Sequence, residues 1–214
     1  MIPHKTPFFL PWLYPSLTWK IECQARELYL TFDDGPVPGP TEFVLEELGR
    51  AAVPATFFCI GDNIRKHSGV FRRIIEGGHD IGNHTMNHVN GWKTSTEEYL
   101  DNVKRFDSAA TEFGGVKNKT DLFRPPYGRI TRRQIKALAG YRIIMWDVLS
   151  QDYSRHLSSE RCLRSTIRAC RPGSIVVFHD SYKSEKNMRY TLPRLIDHFA
   201  GQGYTFGKLS TVNP

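Results

Sequence analysis

Two carboxylates, Asp33 and Asp34, leave an apolar strand-like run (residues 27–32) into a Gly-Pro turn. Adjacent carboxylates repel, so the pair is costly unless a cation, an arginine or a proton separates their roles. A capping turn accounts for one aspartate and leaves the other unexplained. Further along, His84 and His88 stand four apart in His-Thr-Met-Asn-His. On a helical turn that spacing puts both imidazoles on one face, within reach of one divalent ion. With Asp34 they make a His₂Asp set that leaves a position open for water, the layout of a catalytic rather than a structural zinc. Asp33 is then free to accept that water's proton, because a bound divalent ion lowers the water's pKa towards about 7.

Two further clusters extend this chemistry. In Phe-Arg-Pro-Pro-Tyr-Gly, Arg124 offers a guanidinium at a proline-stiffened turn, suited to holding Asp33 ionised, and the Tyr127 backbone N–H suits a developing oxyanion. His179 closes the apolar strand-like run that contains Ile175, Val176 and Val177. A histidine there suits a general acid that protonates a leaving amine or alcohol, provided an acidic neighbour keeps its pKa up. Asp152 is the first candidate for that neighbour, with Asp147 and Asp180 behind it.

These residues need a frame that brings strand ends together. Seven strand-like runs (ELYLTF, PATFFCIG, HDIGNH, DLFRPP, YRIIMWDV, GSIVVFH and YTFGKL) alternate with helix patterns over 42–49, 64–76, 96–113, 132–138, 159–171 and 189–200. Such alternation predicts an α/β domain with a largely parallel sheet. About seven units are too few for a full eight-stranded barrel, so a distorted, incomplete (β/α) barrel is expected. Five strands end in or run into polar clusters, and in such barrels chemistry gathers at the carboxyl ends of the strands.

The chain has 214 residues, 40% hydrophobic and 24% charged, with no low-complexity tract, as expected for a single globular domain. A net charge of +7 favours anionic surfaces, but the cations are spread along the chain without a basic-aromatic motif, which argues against nucleic acid. Cys23, Cys59, Cys162 and Cys170 form no CxxC pair and read as reduced thiols. The aromatic segment FFLPWLYPSLTW is broken by Pro11 and Pro15 and is too short to span a bilayer. Residues 1–28 are expected to form a lead-in packed on a domain of residues 29–214. With no cleavable signal segment visible, a cytoplasmic or inner-envelope-face location is the expectation.

In this order the clusters resemble the polysaccharide deacetylase family, also called the NodB-homology or carbohydrate esterase family 4 domain, from about residue 29 to about residue 209. TFDDGP is similar to the family's first motif, which implies Asp33 as base and Asp34 as metal ligand. HTMNH is similar to its metal motif and implies His84 and His88 as ligands. FRPPYG resembles its Arg-x-Pro-Tyr motif, implying that Arg124 orients the base and Tyr127 supplies the oxyanion N–H. IVVFH resembles its last motif, implying that Val177 lines the acetyl pocket and His179 is the general acid. The family's Asp-x-x-Asp-Trp motif reads Leu149-Ser150-Gln151-Asp152-Tyr153 here. Asp152 keeps the tuning position, and Tyr153 stands where a tryptophan walls the substrate groove.

The resemblance implies Zn²⁺ or a similar divalent ion and an acetylated carbohydrate substrate, such as chitin oligomers, peptidoglycan or acetylated xylan. The expected activity is removal of N-acetyl groups; a silent sugar-binding relative and an O-acetyl esterase are the alternatives. A haloacid-dehalogenase-type phosphatase needs two aspartates one residue apart, whereas these are adjacent. A glycosidase needs carboxylates that flank a sugar bond about 5 Å or more apart, which sequence neighbours seldom do.

Overall fold

Strand β1 (Glu27–Asp33) sorts its side chains to two faces. Leu28, Leu30 and Phe32 join Phe57, Val176 and Phe178 in a cluster that also holds helix side chains, while Tyr29 packs with Phe58, Ile144 and Ile175 in another. Because strand side chains alternate, Thr31 and Asp33 share the face of Tyr29. A sheet buried on both faces is what a parallel arrangement requires, since crossover helices cover its outside.

The computed structural model describes residues 3–115 and 120–212. Its strands are β1, β2 (Thr56–Cys59), β3 (Asp80–Asn83), β4 (Leu122–Phe123), β5 (Arg142–Ile143), β6 (Val148–Leu149), β7 (Ile175–His179) and β8 (Thr205–Phe206). They run in the order β5-β4-β3-β2-β1-β7-β6, with β8 paired to the start of β1, and all these pairings are parallel. The helices are α1 (Phe9–Leu13), α2 (Pro40–Ala51), α3 (Gly61–Lys66), α4 (Ser68–Glu76), α5 (Thr96–Gly114), α6 (Arg132–Ala137), α7 (Ser159–Ala169) and α8 (Glu185–Ala200).

Two sequence expectations are corrected. The run 141–148, read as one strand, makes two: β5 and β6 lie at opposite ends of the strand order, with only residues 144–147 between them. That short link curls the sheet until its edges approach, which gives the incomplete α/β barrel. The helix expected over 64–76 breaks at His67, whose φ of −132° and ψ of 46° end α3 and admit α4. The break lets Ile64 of α3 and Val70, Phe71 and Ile74 of α4 all be buried.

The lead-in covers the seam. On the β5 side Thr18 N–H donates to Ile143 O (2.9 Å) and the Thr18 carbonyl accepts from Met145 N–H (2.7 Å). On the β6 side Thr6 N–H donates to Asp147 O (2.9 Å) and Leu149 N–H to His4 O (2.8 Å). Ile21 N–H then reaches Gly173 O at 2.9 Å. Gly173 has φ +82°, and a Cβ there would fall 1.9 Å from Ile21 O, so this docking point requires glycine. The described cysteines are all free thiols, three of them buried.

Candidate active site

Asp33 ends β1 and His179 ends β7, and the two are register partners on adjacent strands. That sets them about 4.8 Å apart along the hydrogen-bonding direction and on one face of the sheet. Beyond Asp33 the backbone turns sharply: Asp34 takes φ 82°, a left-handed value that aspartate tolerates better than most residues. Among the described residues six non-glycines have positive φ. Five of them (Asp34, Thr85, His88, Tyr127 and Gln151) lie in the loops that follow the strand ends, and the sixth, Ala52, ends α2. Backbone strain of this kind persists where surrounding contacts enforce it, and it collects at functional sites.

The HTMNH segment is not the helical turn its spacing suggests. It is a loop after β3 in which Thr85 (φ 66°) and His88 (φ 54°) are left-handed. Asn83 Oδ1 accepts from Thr85 N–H (2.8 Å), Asn102 Oδ1 of α5 accepts from Asn87 N–H (3.0 Å), and Met86 is fully buried. Both imidazoles turn to one carboxylate: Asp34 Oδ1 lies 3.2 Å from His88 Nε2 and 3.8 Å from His84 Nε2. The three donor atoms lie within 4.8 Å of one another.

His84 Nδ1 faces the carbonyl oxygen of Arg124 at 2.8 Å. A carbonyl only accepts, so Nδ1 carries the proton and Nε2 presents its lone pair towards Asp34. Burial lowers the His84 pKa to about 4 despite the nearby Asp33, so the ring is neutral at ordinary pH. Burial opposes ionisation of Asp34, yet the hydrogen bond from His88 and the His179 charge hold its carboxyl well below the usual range. A lone-pair nitrogen and an ionised carboxylate oxygen converging on one point are mutually repulsive without a cation, and this N₂O set fits zinc or a similar divalent ion.

Arg124 is fully buried and anchors the other half of the site. Its Nη1 donates to Asp33 Oδ1 (2.7 Å) and Thr31 Oγ1 (2.8 Å), its Nε to Ile144 O (3.2 Å) and its Nη2 to Met145 O (2.9 Å). The guanidinium also lies 4.1 Å from the Phe58 ring centre. A Cβ on the register partner Gly82 would fall 2.3 Å from Phe58, so glycine makes room for that ring. One arginine thus orients His84 through its carbonyl and Asp33 through its side chain.

Across the rim, Asp152 grips His179 twice: Oδ1 meets Nδ1 at 2.8 Å and Oδ2 accepts the backbone N–H at 2.7 Å. Burial alone would lower the His179 pKa, but the Asp152 carboxylate, assisted by Asp34 and Asp33, raises it to about 9. The other two carboxylates considered as its partner are engaged elsewhere. Asp147 binds Lys5 (2.5 Å) and Ser174 (2.5 Å), and Asp180 accepts from Gly35 N–H (3.0 Å) and Thr41 Oγ1 (2.6 Å).

Around these groups, the Tyr127 ring packs edge-on against His88 (4.5 Å between centres) and is 60% exposed. The Tyr153 ring meets His179 at 5.0 Å. Val177 is buried beside its register partner Thr31, two residues before His179 on the same face. Sequence reading passed over several positioning groups: Thr31, Asn83, Asn102 and Asn187, whose amide donates to Asp152 O at 3.0 Å. Only Thr31 carried a signal, since it lies two residues before Asp33 and must share its face.

The Polysaccharide deacetylase family model matches residues 20–144. A peptidoglycan-N-acetylglucosamine deacetylase of Bacillus cereus is 30% identical over 204 residues, 92% of each chain. A chitooligosaccharide deacetylase of Bradyrhizobium sp. is 37% identical over 160 residues, 74% of this chain and 72% of the relative. The crystal structure of the Bc1960 peptidoglycan N-acetylglucosamine deacetylase superposes with a TM-score of 0.88 at 28% identity, covering 96% of both chains. The chain belongs to the polysaccharide deacetylase family, the carbohydrate esterase family 4 hydrolases that act on carbon–nitrogen bonds.

Proposed function

We propose that this chain hydrolyses N-acetyl groups of N-acetylglucosamine units in an oligo- or polysaccharide, releasing acetate and the free amine. The observation that carries the reading is the buried Arg124–Asp33 pair beside the Asp34, His84 and His88 donor set, with the His179–Asp152 pair opposite. The named activities of the Bacillus and Bradyrhizobium relatives support the sugar and the amide bond.

Asp34, His84 and His88 would hold the divalent cation, zinc or similar. When bound, the ion supplies Lewis acidity that activates water and polarises the acetyl carbonyl. Asp33, oriented by the Arg124 guanidinium, takes a proton from the attacking water. As the carbonyl carbon becomes tetrahedral, the Tyr127 backbone N–H donates to its oxygen. His179, charged because of Asp152, passes its Nε2 proton to the leaving nitrogen as the C–N bond breaks. Val177 offers an apolar wall for the acetyl methyl, and Tyr153 a wall for the sugar. A second reading, a sugar-binding relative without turnover, has support in a family pseudoenzyme, BA3943, whose mutant with restored activity shares this fold at 25% identity and a TM-score of 0.80.

Metal-loaded and chelator-treated protein should be offered N-acetylglucosamine oligomers, peptidoglycan fragments and acetylxylan, with liberated acetate measured. Metal-dependent release from the first two is expected, and tight metal binding with no release from any of them would support the silent relative. Asp33→Asn should keep its metal while turnover falls by roughly 10²–10⁴; unchanged turnover would remove Asp33 from the base role.

A further inference from the structure

Helix α1 shows its apolar side chains outwards. Phe8 is 91% exposed and Trp12 80%, with Phe9 and Leu13 beside them, while Leu10 and Tyr14 turn inwards to a cluster with Leu17, Trp19, Ile130, Leu138 and Met145. The two sets follow helical spacing: 8, 9, 12 and 13 share one side, 10 and 14 the other. Adjacent exposed large apolar side chains rimmed by polar residues mark an interaction site.

The elements sharing that cluster give the patch a sign. Ile135 of α6 packs into it, and α6 exposes Arg132, Arg133 and Lys136. From residue 1 to 21 and again from 122 to 146 the chain carries no aspartate or glutamate, although it has 22 elsewhere. Of the acidic residues of α5, the remaining helix in the cluster, Glu97, Glu98 and Asp101 sit on its exposed first turns, and Asp107 and Glu112 lie further along. Large aromatics on a segment without acids, flanked by the α6 cations, match the acyl–headgroup boundary of an anionic bilayer, which takes the rings while its phosphates meet the cations. The described helices hold no segment long and apolar enough to cross a membrane, so the contact is peripheral.

We propose that the α1 face, with the basic side of α6, docks this protein on an anionic phospholipid surface. The cluster beneath the patch reaches the site. Trp146, partly buried in the same cluster, lies so close to Gly128 that a Cβ there would fall 2.6 Å from its ring, and Gly128 follows Tyr127. Docking would hold the Tyr127 side of the rim next to the lipid headgroups, favouring acetylated sugars attached to or lying on a membrane.

The test is co-sedimentation of the full chain with vesicles of phosphatidylcholine alone or mixed equally with phosphatidylglycerol. Pelleting with the mixed vesicles only, weakening as salt rises, is expected. Phe8→Ser/Trp12→Ser should lower partitioning by roughly a hundred-fold or more, the scale of two large apolar side chains left in water. Arg132→Gln/Arg133→Gln/Lys136→Gln should lower it by roughly five-fold per cation. Both variants should keep the wild-type circular dichroism spectrum, because all five side chains are exposed. Failure to pellet, equal pelleting with both vesicle types, or pelleting that both variants retain would overturn the proposal. So would a concentration-dependent dimer abolished by Phe8→Ser/Trp12→Ser without vesicle binding, which would assign the face to a second copy. Sedimentation is read whatever substrate the site takes, so its failure is separate from failure of the deacetylase reading.

Discussion

His84 follows the end of β3 and His179 ends β7 on one rim, yet their surroundings drive them in opposite directions. Both are subject to burial, which disfavours the charged ring. His84 commits Nδ1 to a neutral carbonyl, and its pKa falls to about 4. His179 commits Nδ1 to the Asp152 carboxylate, and its pKa rises to about 9. The acceptor at Nδ1 therefore sorts two identical side chains into a lone-pair donor and a proton donor.

The largest effect expected from breaking this contrast is on metal binding. His84→Ala should lose divalent metal on gel filtration while His179→Ala retains it, as read by elemental analysis of the eluted protein; equal retention would erase the distinction. Asp152→Asn should cut turnover on amide substrates by about 10² or more and move the alkaline limb of the pH–rate profile down from about 9. A limb that stays in place would separate Asp152 from the His179 charge. The same pair bears on folding. Because His179 is raised in the folded state, its stabilising contribution is full below the unfolded value near 6.5 and fades as pH rises through about 9. Urea unfolding of Asp152→Asn should therefore lose that pH dependence. The smallest effect is Thr31→Val, which removes one acceptor from Arg124 and one donor to Val176 O, at a cost of about 1–3 kcal/mol in urea unfolding.

Much of the frame was legible because a parallel sheet writes its strands as apolar runs and its site as polar residues at their ends. The double aspartate could be read as two roles because adjacent like charges demand a reason. The division of 141–148 into two strands could not, since a strand buried at each edge and the link across the seam all favour the same apolar residues. The His-x-x-x-His spacing suggested a helix because four residues fill one helical turn, while a loop with two left-handed residues brings the rings together equally well. Three aspartates could have partnered His179, and only tertiary packing, with Asn187 holding the Asp152 backbone, distinguishes them.

The seam formed by residues 144–147 does more than join two sheet edges. Ile144 and Met145 turn their carbonyls to Arg124, which holds Asp33. Spreading the two edges apart would withdraw acceptors from a fully buried guanidinium and release its grip on that carboxylate in the same movement. Closure of the barrel and the seating of Asp33 thus depend on the same short link, and an insertion in these four residues should silence the enzyme while leaving Asp33 itself unchanged.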